Sequence, residues 1–484
     1  MEQLSGEVKV MMEENRQGEA MIKPGVGSKK LYLESYGCQM NFSDSEIVVS
    51  ILDKEGYETT SDPKEADLIL LNTCSIRDKA EQTVRNRLKH FKRIKRENKD
   101  MKIGILGCMA ERVKAKLLEE EQLVDLVVGP DAYRDLPHLM KELDGGKKAV
   151  NVLLSKDETY HDIEPVRLGG NGVTAFVSIT RGCDNMCSFC VVPFTRGRER
   201  SRNPQTIVVE CQKLWAEGYK EVTLLGQNVD SYLWYGGGLK KDFKVASDMA
   251  KASALQFSHL LHMVANALPE IRIRFATSNP QDMSDDVLRA IAEHQNICKY
   301  IHLPVQSGSS RILKAMNRGH DRADYIDLID RVKRIIPNCA ISQDIMSGFP
   351  TETEEDHKET LSLMSQVRYN FGYMFAYSER PNTMAARKLE DDVPLAVKKR
   401  RLQEIIDLQQ VHSAERNAAN VGQVVEVLIE GYSKRSDKDV FGRTSQNAVA
   451  VFPKKHHLPG DLVSVLIRSS TAATLLGDSI DTPL

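Results

Sequence analysis

Three cysteines constrain this chain more than any other feature. Cys38, Cys74 and Cys108 stand 36 and 34 residues apart, and each closely follows an apolar run: KLYLESY (Lys30–Tyr36), ADLILLN (Ala66–Asn72) and KIGIL (Lys102–Leu106). Helical patterns fill the intervals. One opens at Ser43–Glu46 with the spacing of a capping box. Another places Ala80, Val84, Leu88, Phe91 and Ile94 on one face. Alternation at this pace predicts a parallel sheet with crossover helices. All strand carboxyl ends of such a sheet share one edge, so thiols far apart in the chain meet there. Gly37 and Gly107 let the backbone turn closely around a bulky centre. Free cysteines are often merely buried, but three equivalent positions favour a shared ligand, an iron–sulfur cluster.

A polar stretch, Ser155–Gly172, interrupts the alternation and reads as a linker. Beyond it the strand patterns are Thr174–Thr180, Glu221–Leu225, Ile271–Thr277, Tyr300–Val305, Ala340–Met346 and Tyr373–Tyr377. Helical stretches lie between them, including Asn203–Glu217, Ser284–His294, Arg322–Ile336 and Glu352–Gln366. Six βα units curl into an incomplete (βα)6 barrel whose site belongs at the carboxyl ends of its strands. Directly after the first of these strands stand Cys183, Cys187 and Cys190, in the segment Arg181-Gly182-Cys183-Asp184-Asn185-Met186-Cys187-Ser188-Phe189-Cys190. Zinc sites normally take four protein ligands, and a [4Fe–4S] cluster usually takes four thiolates. With three thiolates one iron stays open, able to chelate a ligand bearing an amine and a carboxylate, as S-adenosylmethionine (SAM) does. Cys211, Cys298 and Cys339 show no such arrangement and are assigned to packing.

The insertion Tyr235–Ala252 exceeds a normal βα loop and reads as a mobile surface excursion. A long charged helix over Val393–Asn420 precedes five short strand patterns, Val421–Ile429, Val440–Thr444, Ala448–Phe452, Leu462–Ser469 and Ala472–Ile480, the makings of a small antiparallel β-barrel. The fold class is therefore α/β, divided into a flexible tail (1–29), an N-terminal parallel-sheet domain (30–150), a linker (151–168), the barrel (169–417) and the small β-barrel (418–484). Nine cysteines, an odd number, and a polar start without an export signal point to a reducing, cytoplasmic setting. No apolar run is long enough to cross a membrane.

Net charge is only −2, but the distribution is uneven. Eleven Lys/Arg face four Asp/Glu between Arg77 and Lys102. Arg196, Arg198, Arg200 and Arg202 form a second basic patch, interrupted only by Glu199. Such clusters neutralise nucleic-acid phosphates, although a solvated helix face has the same composition.

The order of parts, from residue 31 to 480, resembles the radical SAM methylthiotransferase family: CxxxCxxC at Cys183–Cys190, three cysteines upstream, and a terminal small barrel of the TRAM type. Three subfamilies act on isopentenyl-adenosine in tRNA, on threonylcarbamoyl-adenosine in tRNA, and on an aspartate of a ribosomal protein. Ser35-Tyr36-Gly37-Cys38-Gln39-Met40-Asn41, Val192–Arg202, Gly226–Tyr232 and His302–Ser309 are similar to the first. Gln343, ahead of Asp344, Thr351 after Pro350, and Tyr377–Met384 depart from the family pattern.

The resemblance implies two [4Fe–4S] clusters, the auxiliary one on Cys38, Cys74 and Cys108 and the radical SAM one on Cys183, Cys187 and Cys190. It also implies two uses of SAM: methyl transfer to a sulfur on the auxiliary cluster, and cleavage to a 5′-deoxyadenosyl radical that takes hydrogen from C2 of an adenine beside the anticodon. Gln227, Ser278, Gln306 and Asp344, at or near strand ends, are the candidate SAM contacts. Candidate substrate contacts are Gln39, Asn41, Arg196, Arg198, Arg200, Arg202, Lys434, Arg435 and Arg443. The partners are then a tRNA anticodon stem-loop, an electron donor of flavodoxin or ferredoxin type and a sulfur donor system, with the protein a monomer. The two other subfamily activities, and a non-catalytic iron–sulfur RNA-binding or redox-sensing protein, are the alternatives.

Overall fold

Strand β3 (Leu68–Thr73) is buried along its whole length, because helices cover both faces of the sheet it centres. The computed structural model describes residues 17–22, 27–75, 78–114 and 116–480. With β1 (Lys29–Tyr36), β2 (Tyr57–Thr59), β4 (Lys102–Leu106), β5 (Leu126–Val128) and β6 (Ala149–Asn151) it forms a parallel sheet in the order β2-β1-β3-β4-β5-β6. Alternation along β3 sends Leu68 and Leu70 towards helix α1 (Gln39–Asp53), where Val48 and Leu52 pack. Ile69 and Leu71 point the other way, to Val84, Leu88 and Phe91 of helix α2 (Asp78–Glu97).

The second unit holds β7 (Thr174–Ser178), β8 (Glu221–Leu225), β9 (Arg272–Ala276), β10 (Tyr300–His302), β11 (Ala340–Ser347) and β12 (Phe371–Ala376). They form two parallel three-stranded sheets, β9-β8-β7 and β10-β11-β12. The pair Ile273–Ile297 joins the sheets in parallel, producing the expected open arc of six strands. Helix α5 (Pro204–Ala216) starts as its sequence dictates, with Asn203 capping Gln205 and proline in the first turn. Thr351, where the family usually has glycine, sits at φ 71°. Arg311 donates to its carbonyl at 2.6 Å, and its own N–H donates to Asp392 at 2.7 Å, offsetting the strain of a side chain in the left-handed region. Gln343 turns to Gln409 on helix α7 (Leu395–Ala418), on the opposite face of β11 from Asp344.

Two expectations about connecting segments are corrected. Residues 1–16 and 23–26 of the expected tail lie outside the described residues, but 17–22 are packed: Gln17 exchanges hydrogen bonds with the backbone of Gly37 (2.7 and 2.8 Å), and Met21 is buried. The linker is a strap. Tyr160, Ile163 and Leu168 are buried in the core under α1, and Arg167 ties Glu46 of α1 to Glu210 of α5. A polar composition hid three apolar anchors spaced too irregularly to register as an element. The excursion over 235–252 contains a 3-10 turn (Lys240–Val245) and a short helix (Asp248–Ala252).

The last five strands, β13 (Val424–Tyr432), β14 (Asp439–Thr444), β15 (Val449–Pro453), β16 (Leu462–Ser470) and β17 (Leu475–Ser479), close into a barrel in the order β13-β14-β15-β17-β16. Arg443 of β14 does not face outward as a phosphate contact. Its guanidinium reaches Glu221 at the start of β8 (3.1 Å) and also pairs with Glu430, while Arg272 and Arg274 donate to the carbonyls of Arg443 and Thr444. Glu221 keeps Arg274 at 2.8 Å, but buried Glu430 loses its arginine, so Arg443→Ala strands that carboxylate between two domains. We expect a loss of about 3–5 kcal/mol of stability, seen as a lowered unfolding midpoint and proteolysis between α7 and β13. A fall in tRNA affinity without loss of stability would contradict this docking role.

Candidate functional site

Cys38 precedes α1, Cys74 follows β3, and Cys108 opens helix α3 (Cys108–Val113) after β4, so all three occupy the carboxyl edge of adjacent strands. Glycine is required beside them. Gly37 has φ 114°, and a Cβ there would stand 2.2 Å from the Cβ of Cys74. At Gly107, φ 85°, a Cβ would stand 2.3 Å from Asn72 Oδ1. The Cys38 thiol is held down to about 6, first by the Cys74 thiol hydrogen-bonded to it, with Arg196 assisting against the effect of burial. Burial pushes the Cys108 thiol up, opposed by the same Arg196.

That arginine was expected on a basic surface. Instead Arg196 is 3% exposed, and its Nε donates to Cys108 Sγ at 3.2 Å. Nη2 donates to Asn41 Oδ1 (3.0 Å) and Asp44 Oδ2 (2.8 Å). Arg181 binds the other oxygen of Asp44 at 2.8 Å, and Arg200 binds Asp131 through both carboxylate oxygens at 2.8 and 2.9 Å. Arg202 pairs with Glu210. The phosphate-patch expectation is therefore corrected for Arg196, Arg200 and Arg202: Asp44 and Asp131 are remote in sequence and Glu210 lies eight residues beyond Arg202, so a charge count over the arginine run misses them. Arg198 alone of the four is exposed, 3.4 Å from Asp184. Asn41, also expected at the substrate, is fully buried and accepts from Arg196 while donating to the Tyr36 carbonyl. Gln39, the first residue of α1, is half-buried beside Cys38.

Arg181, Arg196 and Arg200 set against the carboxylates of Asp44 and Asp131 leave one buried positive charge, adjacent to Cys108, for cysteine thiolates to balance. Buried charge is costly unless compensated. An anionic iron–sulfur centre on three thiolates supplies the compensation, and Gly37, having no Cβ, lets the Cys38 and Cys74 segments approach closely enough to share it. The donor set fits that group.

The second triplet is fixed by its loop. Gly182 (φ 76°) is needed because a Cβ would fall 2.2 Å from the Arg198 carbonyl. Cys183 N–H donates to Gly197, Cys190 N–H to Cys187, and Ser188 Oγ to Ala315. Arg318 Nη1 donates to Cys187 Sγ at 3.4 Å while Nη2 holds Pro304 and Asn279. A cavity of about 260 Å³ opens here, lined by Asp184, Cys187, Asn279, Gln281 and Arg318 among others. Burial pushes Cys190 up to about 12 and raises Cys183 as well. Arg196, six residues after Cys190, donates to Cys108 Sγ, so the segment that follows the second triplet reaches the first. Metal binding must overcome these raised values by deprotonating the thiols. Three thiols in one loop beside a cationic side chain fit a cluster with an open iron.

Of the candidate SAM contacts, Gln227 follows β8 and its Oε1 is buried without a partner, a free acceptor at the barrel mouth. Ser278 donates to Asp230 at 3.1 Å, and Asp230, buried and pushed up to about 8, also accepts from the Asn279 N–H. Gln306 adopts φ 74° and bonds through its backbone to Asp344 and Met346. Asp344 lies within β11, short of its end, 3.4 Å from His302. Lys434 and Arg435 are exposed on the turn between β13 and β14. On α2, Lys89, Lys92, Arg93 and Arg96 share an exposed face, whereas Arg87 pairs with Glu34 and Lys95 with Asp125.

Sequence reasoning missed Asp44, Asp131, Arg181 and Arg318. Arg181 stands two residues before Cys183 and Asp44 three residues after Asn41, so proximity was a usable signal for those two. Asp131 and Arg318 carried none, because only the fold brings them to the cysteines.

Comparisons with known proteins match the order of domains. Residues 30–129 match the Uncharacterized protein family UPF0004, 177–364 the Radical SAM superfamily and 418–480 the TRAM domain. A tRNA-2-methylthio-N(6)-dimethylallyladenosine synthase of Christiangramia forsetii is 63% identical over 97% of this chain and 98% of its own length. The same-named protein of Flavobacterium psychrophilum is also 63% identical, over 97% and 98%. Among solved structures, the radical S-adenosylmethionine methyltransferase TsrM of Kitasatospora setae aligns with a TM-score of 0.53 at 14% identity, covering 74% of this chain and 75% of that one. At that identity the likeness speaks for the fold alone.

Proposed function

The chain belongs to the tRNA-2-methylthio-N(6)-dimethylallyladenosine synthase family, and from that premise we propose how its own residues serve the addition of a methylthio group to C2 of N6-isopentenyl-adenosine at position 37 of tRNA. One observation carries the reading: Arg196, on the segment that follows Cys190, donates to Cys108 Sγ and so links the two chain-distant triplets of cysteines. When bound, the two [4Fe–4S] clusters and SAM supply an open iron, a 5′-deoxyadenosyl radical and the transferable methylthio group. Cys38, Cys74 and Cys108 hold the auxiliary centre, and Cys183, Cys187 and Cys190 hold the other. Gln227, with its free acceptor at the barrel mouth, is the candidate SAM contact with the clearest support. The Arg181–Asp44–Arg196 bridge fixes the first domain against the barrel, so the two centres keep their separation while substrate enters. Ligand-bearing loops fastened this way exclude water from radical chemistry.

C2 of an adenine is reachable only when the base leaves its stack, which costs least in a single-stranded loop. The exposed cations on α2, with Arg198, Lys434 and Arg435, are the candidate phosphate contacts. Lys434→Ala with Arg435→Ala, and separately Lys89, Lys92, Arg93 and Arg96→Ala, should each weaken tRNA binding about tenfold at moderate salt. Each should also flatten the slope of log K against log salt by roughly 0.7–0.9 per lost contact. Filter binding across a salt series measures both, and an unchanged slope would remove that set from the interface.

The chemistry consumes electrons and sulfur, so an electron donor of flavodoxin or ferredoxin type and a sulfur donor belong to the proposal. So do a monomeric state and a cytoplasmic setting, where tRNA is found. No helix among the described residues is long and apolar enough to cross a membrane. Mass spectrometry of nucleosides from a deletion strain tests the substrate. Loss of the methylthio form of isopentenyl-adenosine is expected, and loss confined to threonylcarbamoyl-adenosine or to a ribosomal protein would overturn it.

A further inference from the structure

The guanidinium of Arg196 has three nitrogens, and the protein occupies two. Nε holds Cys108 Sγ and Nη2 holds Asn41 and Asp44, but Nη1 is buried with no hydrogen-bond partner. A buried charged donor left unpaired is expensive, and such groups in native proteins generally face a ligand. Another unpartnered buried group, Tyr133 Oη, is close enough to interact electrostatically with Arg196, and Thr73 Oγ1, adjacent in sequence to Cys74, is also buried without a partner. Asp44 does not need this second arginine for neutralisation, because Arg181 already binds it at 2.8 Å. With the residue 3% exposed, a tRNA phosphate is not the missing acceptor.

We propose that Arg196 Nη1 donates to an anionic sulfur ligand, a hydrosulfide or alkylthiolate, bound at the centre on Cys38, Cys74 and Cys108, and so positions the sulfur that the reaction inserts. The proposal rests on the auxiliary-centre reading above. The excess positive charge of the Arg181, Arg196 and Arg200 network suits an anion, and a guanidinium can hold a thiolate, a carboxylate and a further acceptor at once, which a lysine ammonium with one nitrogen at its tip cannot do in the same geometry. Arg196 also lies six residues after Cys190, on the segment that follows the second triplet. One loop thereby orients both centres. Binding there would be ligation: hydrosulfide would form one iron–sulfur bond in place of a solvent molecule, hydrogen sulfide first giving one proton to solvent, and no electron would move.

The test uses the full chain, anaerobically reconstituted, with S-adenosylhomocysteine saturating the open iron at Cys183, Cys187 and Cys190. Sodium hydrosulfide is titrated while the reduced auxiliary centre is followed by electron paramagnetic resonance. Arg196→Gln and Arg196→Lys should retain wild-type iron and acid-labile sulfide yet bind hydrosulfide roughly 10- to 100-fold more weakly, the worth of one charge-assisted hydrogen bond. Affinity equal to wild type in both variants would overturn the assignment. Should Arg196→Gln lose iron, Arg196→Lys, which keeps the charge beside Asp44, decides the matter alone. Loss of iron in both would make Arg196 a structural residue and overturn the proposal. Wild-type protein holding a single cluster would instead sink the auxiliary-centre reading on which it stands.

Discussion

Replacing Cys183, Cys187 and Cys190 together with alanine should abolish release of 5′-deoxyadenosine from SAM, a fall of at least ~10³-fold, while the other cluster stays in place. The independence follows from the architecture. The three cysteines lie in the loop after β7, anchored by Ser188 to Ala315 and Met316 and by Asn317 to the Met186 carbonyl. None of those contacts involves the first domain. Arg318 would lose its sulfur acceptor but keep the carbonyl of Pro304 at 2.8 Å, so the cavity wall persists. Anaerobic incubation with SAM and dithionite, followed by chromatography, reads the product. Iron and sulfide content should fall by about half, the loss of one cluster of two. Persistent cleavage in this variant would remove these thiols from the reaction.

The parts of this protein that were legible in sequence are those governed by local pattern. Short, mainly apolar runs located β4 and β8 to the residue, both buried almost throughout, and the helical stretch from Asn203 matched the start of α5. Placement of Cys38, Cys74 and Cys108 at strand ends followed from topology, because a parallel sheet leaves a single edge for all three. Charge behaved differently. Arg196, Arg200, Arg202 and Arg443 looked like a surface and proved to be interior, because Asp44, Asp131, Glu210 and Glu221 meet them only after folding. The short strands β2, β5 and β6, three residues each, lacked the length to show a period. The strap over 155–172 failed for a related reason: its buried residues answer to the surface they cover, not to a period of their own.

Replacing Cys38, Cys74 and Cys108 with alanine should produce the complementary phenotype: SAM cleavage within a few-fold of wild type, and no methylthio product. The second triplet keeps every backbone anchor in this variant. The cost appears elsewhere. Arg196 loses its sulfur acceptor, and the network of three arginines and two aspartates keeps an unneutralised positive charge in a buried site. A penalty on the order of 3 kcal/mol is expected for such a charge, visible as a lower unfolding temperature than that of the Cys183, Cys187 and Cys190 variant. Adding Arg196→Gln to the triple variant removes the excess cation and should recover part of that loss, because Asp44 retains Arg181. Recovery ties the buried arginine to the anionic centre through thermodynamics, independently of any assay of turnover. If the added substitution lowers stability further, Arg196 serves Asp44 more than it serves the cysteines, and charge balance does not explain why an arginine is buried there.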